Sequence, residues 1–180
     1  MHQSVTPCTL LVVWHSRTGA ARQLAEAASA AARQRADENQ RSQTSCRPLA
    51  VDCRMAEHTG PQALLAASAY LFVMPENLAS MSGVMKDFFD RTYYAVLDRL
   101  GGRPYAMIVA AGTDGQGAAR QLERIATGWR LRSVAPPLIV VNGAQTPAQI
   151  LAPKVVAPAA LEEARALGAA LAEGLAMGIF

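Results

Sequence analysis

The residues best suited to chemistry stand together at His15–Ala21, H-S-R-T-G-A-A. Ser16 and Thr18 offer hydroxyls two positions apart, Arg17 adds a mobile positive charge, and Gly19 lets the backbone come close to a ligand. An alanine-rich stretch with helical periodicity begins directly after them at Ala20. The first N–H groups of a helix have no partner within it and carry the positive end of its dipole. Grouped hydroxyl and backbone donors at such a terminus suit an anion, and a phosphate in particular. The plainer reading is an N-cap, in which Ser16 or Thr18 satisfies only its own helix. The number of donors gathered in one loop favours phosphate.

Other phosphate and catalytic chemistries find no support. There is no G-x-x-x-x-G-K-[ST], and the first turn lacks G-x-G-x-x-G, while Gly112, Gly115 and Gly117 have the wrong spacing for that fingerprint. A receiver domain needs an acidic residue where Met74 and Pro75 stand. No acid–base or nucleophilic triad is visible, so no catalytic side chain is assigned. Lys86, Asp87, Asp90 and Arg91 read as solvated i,i+4 partners on a helix. His15 reads as a structural, hydrogen-bonded histidine, and Phe88, Phe89, Tyr93 and Tyr94 as core and subunit contacts. Glu76 and Asp114 either touch a ligand or order a turn.

The elements that must position these residues follow from periodicity. Leu10 to Trp14 is a continuous apolar run, as expected of a strand buried on both faces of a parallel sheet. A helix is expected from Ala20 to Ala36, with Leu24, Ala27, Ala28 and Ala31 inward, followed by a polar connection over 37–45. Pro48–Val51 is a short second strand, and Gly60-Pro61 opens a helix. Tyr70–Met74 is a third strand ended by Pro75, and a long helix runs from Gly83 to Arg99. Tyr105–Ala111, a glycine-rich loop over 112–117 and a helix from Ala118 to Trp129 come next. Leu138–Val141 is a fifth strand, Asn142–Pro158 an extended surface segment, and Ala159–Ala176 the last helix. Five strands alternating with five helices along 180 residues predict one α/β domain, residues 1–180, with a doubly wound parallel sheet and helices on both faces. In such a sheet the ligand lies beyond the carboxyl ends of the strands, where strand order reverses. That singles out the loops after the first, third and fourth strands.

Composition sets the bounds. A chain 51% hydrophobic and 17% charged has the core of a globular domain. Three cysteines, Cys8, Cys46 and Cys53, without C-x-x-C or metal spacing disfavour a disulfide scaffold or metal site and fit a cytoplasmic setting. The polar start, Met1–Pro7, and the short apolar run after it leave no room for a secretory segment or membrane span. The net charge of +3 comes from scattered basic residues, which argues against nucleic acid and for small anionic ligands.

The loop P-E-N-L-A-S-M-S-G, the helix V-M-K-D-F-F-D-R that follows it, the H-S-R-T-G-A-A loop and G-T-D-G-Q-G together resemble the flavodoxin-like superfamily, within it the NAD(P)H-dependent FMN and quinone reductases. The resemblance covers most of the chain in register. It implies a flavodoxin-like fold in which Ser16, Arg17, Thr18, Gly19, Ala20 and Ala21 surround the phosphate of FMN. Pro75, Glu76, Asn77, Leu78, Ala79 and Ser80 would flank the isoalloxazine on one side, and Gly112, Thr113, Asp114, Gly115 and Gly117 on the other. Ala21 stands where the family often has a second hydroxyl, and Leu78, Ala79 and Thr113 stand where an aromatic often stacks on the ring. The implied activity carries electrons from NADPH or NADH through the flavin to a quinone, free flavin or similar small acceptor. The resemblance also implies a homodimer or homotetramer, with the aromatic-bearing helix and Leu175–Phe180 as interface candidates. Two other readings are an electron carrier of flavodoxin type and a flavin-free interaction module on the same fold.

Overall fold

A computed structural model describes residues 7–42 and 47–180. Cys46, the end of the connection expected over 37–45, and the polar start before Pro7 lie outside the described residues. Strand β1 (Cys8–Trp14) leads into helix α1 (Ala20–Arg41), then β2 (Leu49–Met55), a short 3-10 turn and α2 (Pro61–Ala66). Next come β3 (Ala69–Asn77), the two-residue β4 (Ser80–Met81), α3 (Gly83–Val96), β5 (Pro104–Ala111) and α4 (Gln116–Gly128). The chain continues through β6 (Arg132–Ser133), β7 (Leu138–Val141), α5 (Pro147–Leu151) and α6 (Pro158–Met177). The sheet order is β2-β1-β3-β5-β6, with β7 also parallel to β5 and β4 antiparallel to β3. The fold is α/β and doubly wound, as the order of elements predicts, and flavodoxin-like, as the resemblance implies.

Side chains alternate across each strand, so one apolar run supplies two cores. Leu10, Val12, Leu71, Val73 and Ile108 pack under α1 and α6, together with Leu24, Ala28, Ala32 and Leu171. Leu11, Val13, Tyr70, Phe72, Met107 and Val109 face the other way, onto Leu64, Met85, Phe88, Phe89 and Leu122 of α2, α3 and α4. A strand covered on both faces has no polar alternation to show.

Several boundaries differ from the expected ones, each for a local reason. Helix α1 runs on to Arg41 because Ala36 is still buried and Glu38 partners Gln34 and Arg35, while Arg35 also reaches Glu173 on α6. Strand β2 extends to Met55, since it pairs with the whole of β1, from Cys8↔Leu49 to Trp14↔Met55. Its edge position tolerates Asp52 and Arg54, which blur the strand signal. The fifth position of the sheet is split, because Pro136 and Pro137 stand between β6 and β7 and cannot donate to the ladder. Strand β3 does not end at Pro75 but continues to Asn77 and folds back as a hairpin, with Asn77↔Ser80 paired. Helix α3 stops at Val96, short of Arg99, where Asp98 takes φ 58°. The extended segment over 142–158 contains a one-turn helix, α5, opened by Thr146 and Gln149 in a reciprocal cap.

Candidate functional site

The carboxyl ends of β1, β3 and β5 open into a cavity of about 620 Å³, inside the range of roughly 300–1,000 Å³ common for small-molecule sites. One end is the first loop, with Ser16, Arg17, Thr18, Ala20 and Ala21 in its wall. Gly19 is the N-cap of α1 at φ 96°, a backbone region that favours glycine. No side chain caps the helix. Ser16 does not act as a cap for the first turn. Its Oγ instead accepts from Gly19 N at 3.1 Å, which leaves its own hydroxyl proton free to donate. Among the described residues the Thr18 hydroxyl and the Arg17 guanidinium make no hydrogen bond or ion pair. The first turn of α1 thus presents unpaired donors to the cavity.

The second wall is Pro75, Glu76, Asn77, Leu78 and Ala79, the β3–β4 hairpin. Leu78 and Ala79 form its turn at φ 53° and 56°. A two-residue turn with both positions left-handed is usually made by Asn and Gly. Leu and Ala hold it at a cost of order 1–3 kcal/mol each, so the surroundings must over-determine it. They do so from α4. Gln121 Oε1 accepts from Ser80 Oγ at 2.7 Å and from Met81 N at 2.9 Å. Gly117 lies flat against the Ala79 peptide, where a Cβ would stand 2.7 Å from the Ala79 carbonyl carbon. Glu76 in return caps α4, accepting from Gly115 N at 2.9 Å and Ala118 N at 3.0 Å. Asp114 likewise accepts from Gln116 N at 3.2 Å. Of the two readings open for Glu76 and Asp114, each carboxylate is engaged in ordering a turn.

Ala110, Ala111, Gly112 and Thr113 form the third wall. Ser80, Asp114, Gly115 and Gly117 are not part of the lining, and Gly19 faces a smaller neighbouring cavity. No aromatic side chain lines the larger cavity among the described residues. The rim is aliphatic instead, with Leu78 fully exposed and Ile150 and Leu151 half or more exposed.

Ile150, Leu151, Lys154, Asn142 and Ala144 were not expected at the site, yet the segment over 142–157 supplies a fourth wall. It is strapped to the first loop and α1. Lys154 N donates to Thr18 O at 2.7 Å, and the Gln23 amide bridges Gly19 O at 3.0 Å and Lys154 O at 2.7 Å while accepting from Val156 N at 3.2 Å. The Lys154 ammonium closes α5 by donating to the carbonyls of Gln149, Ile150 and Ala152. The sequence signal for this wall is slight, since one side chain on α1, Gln23, meets a partner 131 positions away.

His15 follows β1 and bonds through Nδ1 to Ser82 Oγ at 2.8 Å, tying the first loop to the start of α3. Burial lowers its pKa below 6.5; Glu57 opposes this and Arg17 reinforces it. In the unfolded chain it takes up a proton near 6.5, so below that pH the unfolded state binds more protons and stability falls on acidification, until the folded form also titrates. Melting curves between about pH 7.5 and about pH 5.5 should show this slope, and His15→Gln should flatten it. Equal slopes in both proteins would exclude His15 as the cause. The helix charges behave as surface partners, Lys86 with Asp90 and Arg91 with Asp87, but Arg91 also staples α3 to Thr59 O and Ala56 O.

Phe88 and Phe89 are buried in the core, whereas Tyr93 and Tyr94 are exposed on α3. Met177 and Ile179 are exposed on the opposite side of the sheet, so the two interface candidates are separate patches. No helix among the described residues is long and apolar enough to cross a membrane.

Comparison with known proteins places this geometry. Residues 15–146 match the family described as NADPH-dependent FMN reductase. No curated protein matches the sequence. Among solved structures, a flavodoxin from the domain Archaea superposes with a TM-score of 0.69 at 17% identity, covering 93% of this chain and 98% of that one. A flavodoxin, WrbA-like protein from Agrobacterium tumefaciens gives 0.68 at 18% identity, covering 93% and 97%. An oxidoreductase from Corynebacterium diphtheriae gives 0.68 at 18%, covering 95% and 97%. At such identities the structural likeness speaks for the fold.

Proposed function

Because this chain belongs to the NADPH-dependent FMN reductase family, a family of flavin-binding oxidoreductases, we propose that it passes electrons from NADPH or NADH through FMN to a quinone, a free flavin or a similar small acceptor. The observation that carries this reading is the uncapped N-terminus of α1 at one end of a cavity walled by the β1, β3 and β5 loops. The donor set fits a phosphomonoester. Ser16 and Thr18 donate hydroxyls, the first turn of α1 donates N–H groups, and Arg17 supplies charge. The 75–79 segment and the 110–113 loop, two walls of the same cavity, would flank the flat ring.

FMN supplies the two-electron chemistry when bound, and the protein supplies position and environment. Glu76, Gln121 and Gly117 hold the hairpin wall rigid, and the 142–157 strap covers the phosphate end. With Leu78 and Ala79 in place of ring-stacking aromatics, affinity rests mainly on the phosphate loop, so the flavin is expected to exchange rather than stay bound through purification. Self-association through the exposed Tyr93 and Tyr94 is also proposed, in a cytoplasmic protein, and mass in solution reads it.

The test is a fluorescence-quenching titration with FMN, followed by NADPH and NADH oxidation with quinone or FMN as acceptor. Saturable quenching and acceptor-dependent oxidation with ping-pong kinetics are expected. Quenching without oxidation of either nicotinamide would favour the electron-carrier reading, and neither would favour the flavin-free module.

A further inference from the structure

A second cavity, of about 420 Å³, lies across the first loop from the site just described. Ser16, Arg17 and Thr18 belong to the walls of both, so the loop is a partition between them. Ala20 and Ala21 face only the larger cavity, and Gly19 and Arg22 only the smaller. The aromatic surface missing from the larger cavity is present in the smaller one, as Trp14, with Met55, Leu151 and Pro153 completing an apolar wall. Met55 and Leu151 are exposed to solvent there, at 36% and 75%.

We infer that this second cavity is a subsite for an adenosine phosphate. A flat heteroaromatic base suits the indole of Trp14 and the aliphatic walls. A phosphate suits the two guanidinium groups, whose forked donors match its oxygens. Arg22 is available, since it meets only Glu26, at 3.8 Å with both side chains more than half exposed, a pair of little strength. Arg17, which makes no hydrogen bond or ion pair among the described residues, is shared with the flavin phosphate across the partition. The inference rests on the flavin reading above, because the shared partition then places this adenosine beside the flavin phosphate. The same chemistry arrives from two sources, the AMP half of FAD or the adenosine 2′-phosphate half of NADPH.

Binding experiments separate them. Apoprotein is titrated with FMN and FAD, and adenosine 2′,5′-bisphosphate is titrated calorimetrically into the protein with and without FMN. Each titration is repeated on Arg22→Ala and Met55→Glu, two exposed changes outside the larger cavity. FAD binding about tenfold tighter than FMN, with the advantage lost in both variants, identifies the flavin's own AMP as the occupant. Bisphosphate binding that competes with NADPH and weakens about tenfold or more in both variants identifies the donor. In either case FMN affinity is unchanged by the variants. The inference is overturned if FAD gains nothing and the bisphosphate does not bind, or if binding ignores both substitutions. Failure of FMN itself to bind would instead sink the flavin reading, and the flavin-free bisphosphate titration would still decide this one.

Discussion

Gly117→Val is expected to displace the hairpin wall of the site and to weaken FMN binding by an order of magnitude or more. The added side chain has nowhere to go, because a Cβ at this position meets the Ala79 carbonyl oxygen and stands 2.7 Å from its carbon. Backbone cannot yield as a flexible side chain does, so the hairpin must move off α4. That breaks the two bonds to Gln121 Oε1 and releases the strained turn at Leu78 and Ala79. Overpacking of this kind costs about 1–3 kcal/mol, which for a chain of this size lowers Tm by roughly 2–12 °C. Thermal melting and FMN quenching measure the two effects, with Arg120→Ala on the exposed side of the same helix as control. Native FMN affinity in a stably folded Gly117→Val protein would show that the hairpin does not contribute to the flavin wall.

The second large effect is expected from Gln23→Leu. One amide makes three bonds there, to Gly19 O, to Lys154 O and from Val156 N. Leucine fills a similar volume and satisfies none of them. Gly19 O keeps the helical bond from Gln23 N, so two backbone groups, Lys154 O and Val156 N, lose their partner. Each costs about 1–3 kcal/mol, less where water can reach it, so a loss of about 2–4 kcal/mol in total is expected. The structural consequence is local, since the strap loses its anchor to α1 while the sheet is untouched. Limited proteolysis should then cut within residues 142–157, and FMN affinity should fall about tenfold or more because Lys154 and Leu151 no longer close the cavity. Unchanged protease resistance and unchanged affinity together would rule out Gln23 as the strap's anchor.

These two positions mark where sequence reading stops. The first loop was legible because its donors are neighbours in the chain and sit before an alanine-rich helix. The buried strands were legible because a run such as Leu10–Trp14 suits only a sheet covered on both faces. The parallel doubly wound order then pointed to the loops after β1, β3 and β5 without reference to any contact. The hairpin at Leu78–Ala79 was not legible, since neither residue favours a left-handed turn and the groups that impose it, Gln121 and Gly117, lie far downstream on α4. The strap was hidden for the same reason. Its polar and proline-rich composition reads as surface connection, and its docking depends on Gln23, Thr18 and Gly19 far upstream.

What the amino-acid sequence by itself determines is therefore the alternation of buried strands and amphipathic helices, and the grouping of donors in the loop at His15–Ala21. Both follow from short-range periodicity and from donors placed side by side. Only the tertiary structure decides that Glu76, in the cavity wall, engages its carboxylate in capping α4 and that the 142–157 segment walls the site. The same holds for the first loop, which it makes the partition between two cavities. The physical reason is that each of these outcomes satisfies hydrogen-bonding groups or fills space contributed by distant parts of the chain. A buried N–H or carbonyl must be paired, but its own neighbourhood in the sequence does not say by whom.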